Sequence, residues 1–191
     1  HHKRLAARGK LPVRERVFHF LDPDSPFLEI SGLAAYKSEY PIGGGAFAGI
    51  GVSSGIECVI FANDPTVLAG AMHFYSVKKW MRCMQIARDC RIPFIQFVES
   101  AGGDLRPRAG AAVGGMGHFA ESGRQFYEIT ELSKLNIPTV TVAFGTATAG
   151  GAYQPGMSDY NIFVKNQADV ALAGPPLVQM ATGEISSRED I

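Results

Sequence analysis

Residues 137–159 read IPTVTVAFGTATAGGAYQPGMSD. An apolar, β-branched run, TVTVAF, leads into small residues and then into two adjacent glycines, Gly150 and Gly151. Val, Thr and Phe at this density predict a buried strand. Glycine inside ordered structure costs roughly 0.5–1 kcal/mol against alanine. A glycine pair directly after a strand therefore implies a tight turn, or a place where something must approach the backbone. A helix starting at Gly150 would present free N–H groups and its positive dipole end. Donors of that kind hold an oxyanion or an enolate oxygen.

A second pair, Gly102 and Gly103, follows another apolar run, PFIQFV at residues 93–98. Both pairs sit at the carboxyl end of an expected strand, where α/β proteins bind ligands. Around them, LPVRERVFHFL predicts a short helix with Val13, Val17 and Phe20 or Leu21 on one face. AGIGV and IECVIFA read as two strands joined by a hairpin at SSG. Helices are expected over residues 76–90, with Val77, Trp80, Met81, Met84 and Ala87 inward, and over residues 118–135, burying Phe119, Phe126, Ile129 and Leu132. YNIFVK and VALAG form two further apolar runs, and PPLVQMATG reads as a helix opened by proline. Strand pairs and alternating helices define an α/β class.

The 191 residues suit one domain, and 46% hydrophobic content supplies a core. Eighteen basic and eighteen acidic side chains cancel, which argues against nucleic acid as a partner. The basic N-terminal stretch HHKRLAARGK is expected to be a solvated arm. Cys58, Cys83 and Cys90 form no CxxC pair. Cys83 and Cys90 would lie about 10 Å apart along one helix, too far for a disulfide. The pattern suits a reducing compartment and offers no zinc site. No apolar run is long enough for a membrane span.

Several local matches fail their context. GVSSG at residues 51–55 matches the nucleophile elbow G-x-S-x-G, but a strand follows where a helix is required. GGGAFAG at residues 43–49 precedes a strand instead of opening a helix, unlike a dinucleotide fingerprint. His19, His73 and His118 are scattered and fit packing or surface positions. Arg106 and Arg108 divide evenly between a phosphate or carboxylate contact and a solvated loop. Asp104 and Asp159 have no evident partner in sequence.

Taken in order, ARGKLPVRERVFHFLDPDSPFLEISGLAAY, FANDPTV, SVKKWMRCMQIA, FVESAGGDL, the opening stretch and LAGPPLVQMATGE resemble the carboxyltransferase β subunits of biotin-dependent acyl-CoA carboxylases of the propionyl-, methylcrotonoyl- and acetyl-CoA type. The resemblance covers nearly the whole chain. It implies a crotonase-like ββα superhelix, with residues 1–191 as the N-terminal, acyl-CoA-binding domain. The second, carboxybiotin-side domain is expected to lie outside this chain. The family's oxyanion pair falls on Gly150 and Gly151, as the catalytic groups. Gly102, Gly103, Ala149 and Ala152 would shape the acyl-CoA site, with no metal.

The resemblance further implies biotin on a separate carrier, supplied by a biotin carboxylase α subunit, and a homo-oligomer. The location would be cytoplasmic, or the mitochondrial matrix in a eukaryote. In the family's proposed mechanism carboxybiotin releases carbon dioxide and its ureido nitrogen takes the α-proton, so no side-chain base is needed. One departure concerns the family's SGGA loop, which here reads SAGGDLRPR. Rival expectations are a non-catalytic assembly domain and a crotonase-like hydratase or decarboxylase. The latter needs an acid or base, and Glu99 is the Glu near a glycine pair.

Overall fold

The computed structural model describes residues 2–106, 119–187 and 190. Two N-terminal helices, α1 (His2–Ala6) and α2 (Val13–Phe20), precede a short strand β1 (Leu28–Glu29). The hairpin β2 (Ala46–Ser53) and β3 (Ile56–Asn63) follows. Its register pairs Ser53 with Ile56, leaving a two-residue turn. Ser54 and Gly55 have φ of 53° and 75°, the left-handed pair that matches strand twist. The Asp22 carboxylate accepts both turn N–H groups, at 2.6 and 2.8 Å. GVSSG is therefore a hairpin, as its context predicts.

Helix α3 (Phe74–Cys90) leads to β4 (Phe94–Ser100), and α4 (Phe119–Lys134) leads to β5 (Thr139–Thr148). Strands β3, β4 and β5 run parallel, extending the antiparallel β1–β2–β3 edge. The far side of β5 is shared. Strand β6 (Tyr160–Phe163) pairs along residues 140–143, and β7 (Asp169–Ala171) along residues 146–148, both parallel. A final helix, α6, spans Pro175–Thr182 and ends at Gly183 in the left-handed conformation.

One sheet face carries α3 and α4. Trp80, Met84, Ile129 and Leu132 meet Val59, Phe61 and Phe94 there. The other face carries α2, whose Val13 and Val17, with Leu21 just past its end, cover Phe47, Ile60, Ile95 and Phe97. The expected inward faces of α2 and α3 are thus the observed ones, with Met81 only partly buried. Phe126 is half-buried, and the side chain of Phe119 lies outside the described residues. The apolar run of β6 is exposed at all four positions, and α6 buries no residue.

The glycine triplet 43–45 also has a structural explanation. All three residues have positive φ, and the loop wraps the buried Lys79 ammonium. That ammonium donates to the carbonyls of Gly43 (3.2 Å) and Ala46 (2.7 Å), while burial lowers its pKa. The expected solvated N-terminal arm is corrected. Leu5 is buried, and Lys10 reaches across the molecule to Glu99 at 2.6 Å. Among the described residues, no helix is long and apolar enough to cross a membrane.

Phe94 is fully buried between the sheet and its helices. Phe94→Ala is expected to remove about 3–5 kcal/mol of stability, read from the midpoint of denaturant unfolding. A loss below about 1 kcal/mol would contradict this packing.

Candidate functional site

The two glycine pairs of the sequence converge. Strands β4 and β5 are adjacent and parallel, so their carboxyl ends lie side by side, with Ser100 opposite Ala147. A register shift between Val98 and Ser100 marks a bulge at the end of β4. After β5 the chain enters a tight 3-10 turn, Ala149–Ala152, that continues into α5 (Tyr153–Gly156). Ala149 takes a left-handed φ of 51°, a strain of about 1–3 kcal/mol of the kind that clusters at functional turns.

Glycine sets how closely these ends approach. A Cβ on Gly151 would lie 3.1 Å from the Ser100 side chain. A Cβ on Gly102, which has φ of 92°, would lie 2.9 Å from the Thr148 carbonyl oxygen. Gly150 differs, because a Cβ there would meet nothing within 4 Å. It opens on free space while its backbone stays in the turn. The N–H groups of Ala149, Gly150 and Gly151 stand in the first turn of this helical segment, after an extended Thr148 whose side chain makes no capping bond. Ala152 is buried behind them.

The loop after β4 is laced to the 3-10 turn Leu68–Gly70 and the residues after it. Ala101 N–H donates to the Ala69 carbonyl (3.1 Å), Met72 N–H to that of Gly102 (2.7 Å), and Asp104 N–H to that of Met72 (2.7 Å). Ser100 Oγ accepts the Gly102 N–H at 3.2 Å. Gly103 pairs with Met72 in a parallel bridge. A groove of about 970 Å³ runs up to this point. Its lining includes Ser100, Ala101 and Thr148 at the ends of β4 and β5, and Arg8, Lys10 and Leu177 from the N-terminal arm and α6. Gly150 and Gly151 follow Thr148 closely in the chain but are not themselves among the groove's lining residues. The volume is within the range of small-molecule sites.

The carboxylates Glu99, on the groove, and Asp104, in the loop after β4, are committed to structure. Glu99 accepts from Lys10 Nζ (2.6 Å) and from Arg16 Nη1 (2.8 Å), so both carboxylate oxygens are engaged. Asp104 has the partners that sequence did not reveal. The Arg106 guanidinium donates to both its oxygens, at 2.8 and 2.9 Å, and the Tyr40 hydroxyl donates at 3.1 Å. The Arg106 bonds foremost hold the Asp104 carboxyl down at about 2. Arg106 is accordingly half of a carboxylate pair, and Arg108 and His118 lie outside the described residues. Burial pushes the Asp159 carboxyl up, but bonds from Thr139 and Ser133 lower it on balance. His73 stacks on Tyr40 with ring centres 3.7 Å apart.

Sequence reasoning missed the polar cluster beneath the turn. Trp80 Nε1 donates to Gln96 Oε1 at 2.9 Å, and Gln154 Nε2 reaches the same oxygen at 3.4 Å. The Thr141 hydroxyl donates to the Gln154 carbonyl (3.2 Å), and the Ser158 hydroxyl donates there too (2.7 Å). These bonds tie α5, and hence the glycine turn, to the middle of β4 and β5. The available signal was Gln96, a lone amide inside the apolar run PFIQFV.

Two outcomes follow for the loop after β4. Asp104 has a folded pKa of about 2, below the usual 3.8. Its stabilisation is present above 3.8 and is lost as pH falls towards 2. Thermal melts from pH 5 to 2 should therefore decline less steeply in Asp104→Asn than in the parent. Gly102→Ala should destabilise the protein by about 1–3 kcal/mol through its positive φ and the Thr148 carbonyl, checked by the same melts at neutral pH.

The carboxyl transferase domain family matches residues 4–191. The probable biotin-dependent acyl-coenzyme A carboxylase β2 subunit of Mycobacterium tuberculosis is 48% identical over 185 residues, covering 97% of this chain and 34% of the relative. The 3-methylcrotonyl-coenzyme A carboxylase β1 subunit of the same organism is 46% identical, covering 99% of this chain and 35% of the relative. The β subunit of Pseudomonas aeruginosa geranyl-CoA carboxylase superimposes with a TM-score of 0.86 at 40% identity, covering 98% of this chain and 34% of that one. The chain thus spans about a third of the length of these relatives. Its α/β fold is that of the crotonase-like carboxyltransferase β subunits. The chain belongs to the carboxyl transferase domain family.

Proposed function

We propose that this chain is the acyl-CoA-binding, N-terminal domain of a biotin-dependent acyl-CoA carboxyltransferase. The observation that carries this reading is the Ala149–Ala152 turn. It places two glycine N–H groups at the end of β5, with open space in front of Gly150 and a groove leading up to Thr148. The thioester carbonyl of an acyl-CoA would lie against the Gly150 and Gly151 N–H groups. As a proton leaves the acyl chain, negative charge grows on that oxygen, and fixed donors stabilise it most at that moment.

Gly102 and Gly103, with Ala149 and Ala152, would shape the walls of the same site. Carboxybiotin, on a separate carrier delivered by a biotin carboxylase α subunit, would supply the carboxyl group and a basic ureido nitrogen. This chain's part is to bind, orient and polarise the thioester. The carboxybiotin-side domain would come from a segment outside this chain, in a homo-oligomer. The names of two matched proteins, the 3-methylcrotonyl-CoA and geranyl-CoA carboxylases, share a 3-methyl-2-enoyl thioester, and we infer that substrate class here.

The hydratase or decarboxylase reading is disfavoured by a specific contact. Such chemistry would draw on Glu99, yet Lys10 and Arg16 occupy both its oxygens. Both oxygens are taken up in holding Lys10 and Arg16 in place.

Gly150→Val is the discriminating variant, because a Cβ there meets nothing within 4 Å. It should leave the melting temperature of the protein as encoded within about 2 °C. It should cut transfer of carboxyl from carboxybiotin to 3-methylcrotonyl-CoA by at least about 10²-fold. Normal carboxylation by Gly150→Val would reject the assignment. Faster turnover of propionyl-CoA than of 3-methylcrotonyl-CoA by the parent would reject the substrate class alone.

A further inference from the structure

The turn that carries Gly150 and Gly151 is held on two sides. Before it, Thr148 sits in the ladder opposite Ala171 of β7. After it comes α5, a four-residue helix whose own hydrogen bonds are too few to fix it. Its buried hold is Gln154. The parallel register sets Gln96 of β4 beside Thr141 of β5, and Gln154 is bonded to both. Trp80 reaches the same point from α3.

The polarity of these bonds has one source. An indole N–H can only donate. Trp80 Nε1 stands 2.9 Å from the Gln96 amide, so the atom it meets must be the oxygen, Oε1. The amide nitrogen then faces the Thr141 and Ser158 hydroxyl oxygens, at 3.4 and 3.3 Å. Those oxygens accept, which leaves their hydrogens for the Gln154 carbonyl, at 3.2 and 2.7 Å. Gln96 Oε1 also accepts from Gln154 Nε2 at 3.4 Å. Turning the Gln96 amide over would set its nitrogen against two donors. Its oxygen would then draw both hydroxyl hydrogens away from the Gln154 carbonyl. One amide sense thus controls two holds on Gln154, at the backbone and at the side chain. Gln154 Oε1 has no hydrogen-bond partner among the described residues, so the side chain is held through Nε2 alone.

We propose that Trp80 and Gln96 are positioning residues for carboxyl transfer. The indole fixes the sense of the Gln96 amide, and the amide fixes the Gln154 segment that aims the Gly150 and Gly151 N–H groups. Both side chains are fully buried, so they act through the turn and not on the thioester itself. This rests on the carboxyltransferase reading above and deepens it by naming the side chains through which α3 and β4 act on the reaction. Donors matter most to an oxygen whose charge is growing, and less to the neutral thioester before reaction. Misdirected donors therefore cost kcat and leave KM in place.

Steady-state kinetics of the protein as encoded test this, with carboxybiotin as donor and 3-methylcrotonyl-CoA as acceptor. Gln96→Met keeps the side chain's length and removes the amide. It should lower kcat at least about tenfold and leave KM for the thioester within about twofold. Trp80→Phe should also lower kcat. The double variant should lose no more than Gln96→Met alone, because both changes act through one amide. Ser158→Ala serves if the core variants do not fold, since Ser158 is only half-buried. It removes the shorter bond to the Gln154 carbonyl and should lower kcat at least about threefold at unchanged KM. Parent kcat in Gln96→Met, or in Ser158→Ala where the core variants are unfolded, would overturn the proposal and leave the carboxyltransferase reading standing. Additive losses in the double variant, or a loss carried by KM, would do the same. Absence of carboxyl transfer by the parent would overturn both.

Discussion

The close approach of two parallel strand ends governs this molecule. Strands β4 and β5 deliver their carboxyl termini side by side, and the segments beyond them touch through glycines. Gly151 lies against Ser100, and Gly102 lies over the Thr148 carbonyl. Gly70 completes the set, since a Cβ there would come within 3.0 Å of the Glu99 carbonyl carbon. Any side chain at these points would push the loops apart. Without the contacts, the turn at Ala149–Ala152 would have no wall to stand against, and its N–H groups would have no fixed direction. Preorganised donors act in catalysis because their orientation is settled before charge develops.

What holds those ends in place is polar, and it is buried. The Trp80–Gln96–Gln154 cluster ties α3, β4 and α5 together under the turn. Such clusters fix geometry because leaving a buried partner unpaired is costly. The Lys10–Glu99–Arg16 triad acts similarly on the groove side, with side chains only 4–13% exposed. Removing one member would strand a charge in a poorly solvated place. These two devices commit the charged and amide groups near the glycines to holding position.

Much was legible in the sequence. Apolar runs rich in β-branched and aromatic residues, each followed by a glycine pair, located both strand ends. The 3.6-residue period of Val77, Trp80, Met84 and Ala87 gave the buried face of α3, because an amphipathic stripe is a property of the sequence alone. The requirement for a helix after an elbow correctly reduced GVSSG to a hairpin. The partners of Asp104 and Glu99 were not legible. Arg106 is near Asp104 in sequence, but Tyr40 is 64 residues away and Lys10 is 89 residues from Glu99. Charge composition gives no distance across a fold, so a basic arm read as solvated proved to be pinned.

The sequence by itself determined the α/β class, the family and the two glycine pairs, because those follow from local periodicity and from an ordered run of matching motifs. The tertiary structure alone decided that the pairs meet, that Gly150 opens on space while Gly151 is wedged against Ser100, and that the N-terminal arm walls the groove. The physical reason is the parallel pairing of β4 with β5. A sheet brings residues 100 and 147 into register across dozens of intervening residues, and only the folded chain fixes which backbone groups then face a ligand.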